Sequence, residues 1–280
     1  MNTKPSSPAG RSPGVGRFRL VPALALCAAA AWLGMAVRLA LRLRQAARLC
    51  RHSRPFEAAP ARPAARLLLV GDSTAVGTGA STPDASVAGL IARHHPGVHI
   101  VNRARVGARF ADIARQLDGA GRFDIILILG GGNDVIRLTD ARSLQASIGR
   151  ALHKARTRAD CVVLMPAGNV GNTPLFPRPW AWLMTRRSRQ LHAMVRAAAA
   201  SAGALYVNGY KERADDPFVR QAQRLNARDG LHPSDEGYRL WFEALQLQAG
   251  LSRQLQALGA LPEGAGCCAA ALPNARAASG

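Results

Sequence analysis

Leu67-Leu-Leu-Val-Gly-Asp-Ser73 is the stretch on which the reading turns. Branched apolar residues run without alternation and stop at Gly71, as in a strand buried on both faces of a parallel sheet. Gly71 to Gly79 then reads as a loop, and the amphipathic stretch Ala85–His95 as a helix. A serine just past the carboxyl end of a central parallel strand stands where open α/β sheets hold their ligands. Gly-Asp-Ser alone is common turn chemistry, so the case depends on residues further along the chain.

The alternation continues. Strands are expected near 66–70, 98–102, 124–130, 161–165 and 204–208, and helices near 84–95, 108–118, 142–157, 186–201 and 235–257. Strand alternating with helix implies parallel pairing through right-handed crossovers, hence a three-layer α/β/α sandwich. No internal repeat is visible.

Apolar residues make up 48% of the 280-residue chain and charged residues 19%, enough to bury a core in one domain with flanking segments. The formal charge of +20 is unevenly placed. Residues 1–65 carry 11 of the 37 Lys+Arg and only Glu57 of the 17 acids, so 26 bases and 16 acids give +10 for residues 66–280. The basic residues are mostly arginines spread over helices. No aromatic-interleaved basic motif, zinc-finger spacing or helix-turn-helix signature accompanies them, which argues against a nucleic-acid partner. The five cysteines include no CxxC pair and no Cys/His cluster with metal spacing, so neither a disulfide framework nor a metal is expected.

The organisation expected along the chain begins with residues 1–57, a disordered Pro/Ser/Gly/Arg-rich start followed by a membrane anchor and amphipathic segment. Within it Leu20–Val37 is uncharged and close to the lower length limit of a transmembrane helix. Arg38–Arg48 has arginines on one helical face and leucines on the other, the pattern of a helix lying in a membrane interface. An uncleaved anchor is favoured over a long signal peptide, which would leave a secreted or periplasmic protein; the side of the membrane stays open. Residues 58–65 read as a Pro/Ala spacer, 66–258 as the folded α/β domain, and 259–280 as a low-complexity tail containing Cys267 and Cys268.

A serine nucleophile needs a base, a group to orient that base, and donors for a developing oxyanion. Asp229-Gly-Leu-His232-Pro233 offers an orienter and a base three residues apart, leading into a helix that Ser234 would cap. A loop whose Asp and His merely cap that helix is the plainer alternative. Ile125–Leu129 is a second continuous apolar run, ending in Gly130-Gly-Gly-Asn133-Asp134. Its glycines admit close approach of a ligand, and Asn133 offers an amide donor. Neither phosphate-loop nor dinucleotide-binding spacing is present. Gly107 comes after the Val98–Asn102 strand where a loop meets a helix start.

These blocks in this order resemble the SGNH hydrolases, also called GDSL esterases and lipases. The matching residues are Gly71-Asp72-Ser73, Gly107, Gly131-Gly-Asn133-Asp134 and Asp229-Gly-Leu-His232, and the resemblance spans about residues 66 to 258. It implies the SGNH fold, a five-stranded parallel, flavodoxin-like sheet, and a metal- and cofactor-free ester hydrolase. By resemblance Ser73 is the nucleophile, His232 the base and Asp229 its orienter. The oxyanion hole would combine the Ser73 and Gly107 N–H groups with the Asn133 amide. Departures are Thr74, where the family often has leucine, and Ala108-Arg109, where a Ser or Thr is common near the glycine. Asp134 is expected to accept from nearby loop N–H groups. An acyltransferase, a carbohydrate acetylesterase and a non-catalytic binding protein on the same fold are the alternatives.

The Pro166–Trp182 loop is long and carries Phe176, Trp180 and Trp182, which are expected to wall a site for lipid-like esters or else to pack on the core. His94, His95, His99, His153 and His192 are expected to be caps or solvated side chains.

Overall fold

The computed structural model describes residues 17–119, 121–178 and 180–259. The chain divides into two units, residues 1–43 and 44–280. The first holds most of helix α1 (Arg17–His52). The apolar run Leu20–Val37 lies on this helix, but the side chains of 17–25, 27 and 28 are outside the described residues. Among the described residues no helix is long and apolar enough to cross a membrane, so the expected transmembrane anchor has no support there. Of the side chains described on α1, the uncharged ones before Arg38 are only Leu26 and those of residues 29–37, and past Val37 the helix carries an arginine every few residues as far as Arg51, which leaves no window long enough to span. The expected disordered start and low-complexity tail fall at 1–16 and 260–280, outside the described residues.

The second unit is built on five strands: β1 (Ala65–Gly71), β2 (Val98–Asn102), β3 (Ile125–Gly130), β4 (Cys161–Pro166) and β5 (Leu205–Tyr206). They form one sheet in the order β2-β1-β3-β4-β5, and every pairing is parallel. The helices, in chain order, are α2 (Ser73–Val76), α3 (Val87–His94), α4 (Phe110–Gln116), α5 (Gly132–Ile136), α6 (Ala141–Arg156), α7 (Trp180–Ala202), α8 (Pro217–Arg220), α9 (Ala222–Leu225), α10 (Asp235–Ala249) and α11 (Leu251–Gly259).

The unbroken apolar runs are explained by what covers the sheet. Leu67 and Leu69 of β1 join one core with Leu90 and Ile91 of α3, Tyr238, Phe242 and Leu245 of α10, and Leu251 of α11. Leu68 and Val70 join a second core with Phe110 and Ile113 of α4, Ile148 of α6, and Leu191 and Val195 of α7. Alternate residues of one strand thus enter opposite layers, so both parities must be apolar. Burying each such side chain stabilises the fold by about 1.5–3 kcal/mol.

The two largest departures from the expected boundaries are both in helices. The helix expected to end near 257 is broken by Gly250 (φ 58°), whose left-handed conformation ends α10 and starts α11. The helix expected at 186 begins at Trp180, because the Pro-rich stretch stops immediately before it.

Residues 58–65 are not a free spacer. Ala58 exchanges backbone hydrogen bonds with Ile100 of edge strand β2 (3.1 and 2.8 Å), and Ala64 N donates to Gly97 O (2.8 Å). Glu57 Oε1 accepts from Asn102 N (3.2 Å), while Phe56 and Ala58 pack on the first core. Prolines 60 and 63 lack N–H groups, so this segment touches the edge at one bridge rather than becoming a sixth strand.

Candidate active site

Strand β1 ends in a turn that only glycine permits. A Cβ on Gly71 would lie 1.8 Å from Leu129 O of β3. Buried Gln116, from α4, locks that point: its Oε1 accepts from Gly71 N (2.7 Å) and its Nε2 donates to Gly71 O (2.9 Å). Asp72 caps α2, with Oδ1 accepting from the N–H (2.9 Å) and hydroxyl (2.7 Å) of Thr74. Ser73 therefore opens a helix at the carboxyl end of a central strand.

His232 meets it from the other end of the chain. Ser73 Oγ lies 2.9 Å from His232 Nε2, and His232 Nδ1 lies 2.5 Å from Asp229 Oδ2. Asp229 Oδ1 also accepts the N–H groups of Leu231 (3.0 Å) and His232 (3.1 Å). All three residues are buried, Asp229 completely. Burial alone would raise the Asp229 carboxyl, but the His232 ring and the two backbone donors outweigh it and hold the group below the usual carboxylate range. With the carboxylate facing Nδ1, the imidazole carries its proton there and offers Nε2 as acceptor to the serine hydroxyl. Ser234 caps α10 as the sequence suggests, accepting from Gly237 N (3.3 Å), which fixes the loop that carries His232.

Ser73, Gly107, Asn133 and His232 line one cavity of about 300 Å³. Gly107 has φ 76°, a conformation suited to glycine. Asn133 Nδ2 donates one hydrogen to Ala108 O (3.2 Å), tying α5 to the Gly107 loop and leaving the second for a ligand. Asp134 is buried and accepts from Phe110 N (2.9 Å), the loop-bracing role the sequence suggests for it. Burial raises its pKa, opposed by that hydrogen bond; burial likewise raises Asp72, against the Thr74 donors.

The aromatic residues of the Pro166–Trp182 loop are placed elsewhere. Trp180 and Trp182 are 55% and 68% exposed on the first turn of α7, and Phe176 packs against the second core. None lines the cavity. Its apolar walls are instead Ala46, Ala47 and Cys50 from the end of α1, Ile136 of α5, Phe218 of α8 and Trp241 of α10. No motif marks these positions; small residues on an amphipathic helix carry no sign of where that helix docks.

Three of the other histidines have structural partners. His94 Nδ1 lies 2.9 Å from Leu90 O and His95 Nε2 2.6 Å from Ser252 Oγ. His192 is buried rather than solvated, bridging Tyr206 Oη (2.6 Å) and Ala167 O (2.9 Å), and burial lowers its pKa. Among the described residues no group of three or more His, Cys, Asp or Glu side chains converges as metal ligands do.

A profile of the GDSL-like Lipase/Acylhydrolase family matches residues 69–240, a span that contains Ser73, Gly107, Asn133, Asp229 and His232. The chain belongs to this family. It is 26% identical over 190 residues to the GDSL-like esterase Rv1075c of Mycobacterium tuberculosis, an alignment covering 65% of this chain and 60% of that protein. The chain thus spans about 60% of the length of this curated relative. Among solved structures, a mutant of Axe2, an acetyl-xylooligosaccharide esterase of Geobacillus, superposes with TM-score 0.51 at 21% identity, covering 68% of this chain and 95% of that one. TesA gives TM-score 0.52 at 20% identity, covering 69% and 99%. The five-stranded, all-parallel SGNH fold is common to them.

Proposed function

We propose that this protein is a carboxylic ester hydrolase working through an acyl-enzyme on Ser73. The observation that carries the reading is the unbroken line from Ser73 Oγ through His232 to buried Asp229, opening on an apolar-walled cavity. Ser73 Oγ attacks the ester carbonyl as its proton passes to His232 Nε2. The carbonyl oxygen, now negative, is held by the N–H groups of Ser73 and Gly107 and by the Asn133 amide. His232 returns the proton to the departing alcohol, leaving the acyl group on Ser73. Water then attacks with His232 again as base, the Ser73–acyl bond breaks, and the acid is released.

A cavity of about 300 Å³ closed by Ala46, Ala47, Cys50 and Trp241 supports short to medium acyl groups on a small-molecule ester, and no cofactor is needed for these steps. Hydrolysis of para-nitrophenyl esters of rising acyl length tests this. Rates that climb and then fall once the cavity is full, and vanish in Ser73→Ala, are expected. Absence of turnover on every ester by folded protein contradicts it. Adding competing alcohols and analysing products separates hydrolase from acyltransferase. We further infer that the protein sits at a membrane surface through α1, supported by exposed Leu26, Trp32, Leu33 and Val37 on that helix and the arginines that follow them. Co-sedimentation with anionic vesicles, lost on deleting residues 1–43, is the expected result.

A further inference from the structure

A second groove runs from the mouth of the catalytic cavity. Val106, Gly107 and Arg137 line both, so the two are continuous at the proposed oxyanion donor. A Cβ placed on Gly107 would lie 3.3 Å from an Arg137 guanidinium nitrogen, which puts a cation directly over this backbone turn.

The charges in the groove do not cancel. Asp112 is taken up by Arg115 and by the N–H of Arg109 (2.8 Å), and Asp118 by Lys154. Arg103 is spent on the backbone carbonyls of Asp118 (2.8 Å) and Gln116 (3.4 Å). Arg105 and Arg137 remain, and among the described residues neither has a carboxylate within ion-pair distance. Arg105 and Arg137 are both exposed, so their guanidinium groups are open to a ligand in the groove. A planar guanidinium at the rim of a reaction centre is suited to a carboxylate, sulfonate or phosphate, which it grips through paired N–H donors.

We propose that the substrate is an ester bearing an anionic group, and that Arg137, assisted by Arg105, binds that group and so selects for it. The inference rests on the esterase reading above. Arg137 is a specificity residue here: it holds the substrate's charge and takes no proton in the reaction.

The test uses the full chain and matched ester pairs that differ in charge. One pair, para-nitrophenyl hexanoate and mono-para-nitrophenyl adipate, puts the charge on the acyl side. The other, para-methylphenyl acetate and para-acetoxybenzenesulfonate, puts it on the alcohol side. The readout is the anionic-to-neutral ratio of kcat/KM, in which any general effect of a substitution cancels. In at least one pair the ratio should fall about tenfold in Arg137→Ala, less in Arg137→Lys and Arg105→Ala, through loss of a charge-assisted hydrogen bond. In the native protein the ratio should also decline as NaCl is raised. Inorganic phosphate should slow fluorophosphonate labelling of native protein more than of Arg137→Ala. Ratios that ignore Arg137→Ala and salt in both pairs, with neutral esters still hydrolysed, overturn this inference alone. Should Arg137→Ala fail to fold, the salt dependence and Arg137→Lys decide it. No ester turnover and no labelling at Ser73 would overturn the esterase reading and this one with it.

Discussion

Replacing Asp229 with Asn separates a catalytic orienter from a structural cap, because the hydrogen bonds around it dictate how the amide must sit. Oδ1 accepts two backbone N–H groups, from Leu231 and His232, so an asparagine keeps its carbonyl oxygen there. Its NH₂ then faces His232 Nδ1, where the carboxylate oxygen lies 2.5 Å away in the native protein. A donor at that point forces the imidazole to carry its proton on Nε2, the atom 2.9 Å from Ser73 Oγ, which can then no longer accept the serine proton. The same change in a serine-protease triad lowers kcat roughly 10⁴-fold, and a fall of about 10³–10⁴ in kcat on para-nitrophenyl acetate is expected. Because fully buried Asp229 titrates below the usual carboxylate range, its ionised form stabilises the native state above the unfolded pKa of about 4, an effect lost as pH falls further. Urea denaturation should therefore find Asp229→Asn about 1–3 kcal/mol less stable at neutral pH, with the gap closing at acid pH. Asp72 is the internal comparison. It too is buried and borders Ser73, but its oxygen is bonded to Thr74 and not to the imidazole, so Asp72→Asn should stay within about tenfold of native kcat. Equal losses from the two substitutions, or less than a tenfold loss from Asp229→Asn, would refute the assignment.

The same geometry predicts three further outcomes. Gln116→Leu leaves the buried N–H and C=O of Gly71 without partners, which should cost about 2–4 kcal/mol in urea denaturation and lower kcat by shifting Ser73; unchanged stability would contradict the bracing role. Asp134 has its pKa raised by burial, so the native state holds that proton more tightly than the unfolded chain and loses stability as pH rises above about 4. Measured against Asp134→Asn, whose carbonyl can still accept from Phe110 N, the native protein should lose ground as pH rises above about 4, and a pH-independent difference would be the opposing result. Partial burial pushes the Cys161 thiol up to about 11, so its thiolate fraction at pH 8 is about 10⁻³; peptide mapping after brief iodoacetamide treatment should leave it unmodified, and ready alkylation would contradict its part-buried setting.

The strands and the residues around Ser73 were legible because each rests on a local rule. Continuous apolar runs mark strands covered on both faces, and β1 to β4 begin and end within a residue of expectation. Ser234 reads as a cap because capping is a contact over three residues. The substrate walls were not legible, because they depend on where elements dock. Ala46, Ala47 and Cys50 line the cavity from a helix whose composition suggests only a membrane segment. Trp180 and Trp182 look like pocket residues by type, yet α7 begins at Trp180 and its first turn faces solvent. Gln116 escaped notice for a related reason: one glutamine in an amphipathic helix reads as a polar-face residue, and only the fold turns it inward onto Gly71.

The central claim is that His232 and Asp229 activate Ser73, and intact-mass measurement after treatment with a fluorophosphonate addresses it most directly. One adduct on the native protein, none on Ser73→Ala, and a rate reduced by orders of magnitude in His232→Ala are the expected results. A folded native protein that takes up no adduct, or a Ser73→Ala protein labelled as fast as native, would contradict the account.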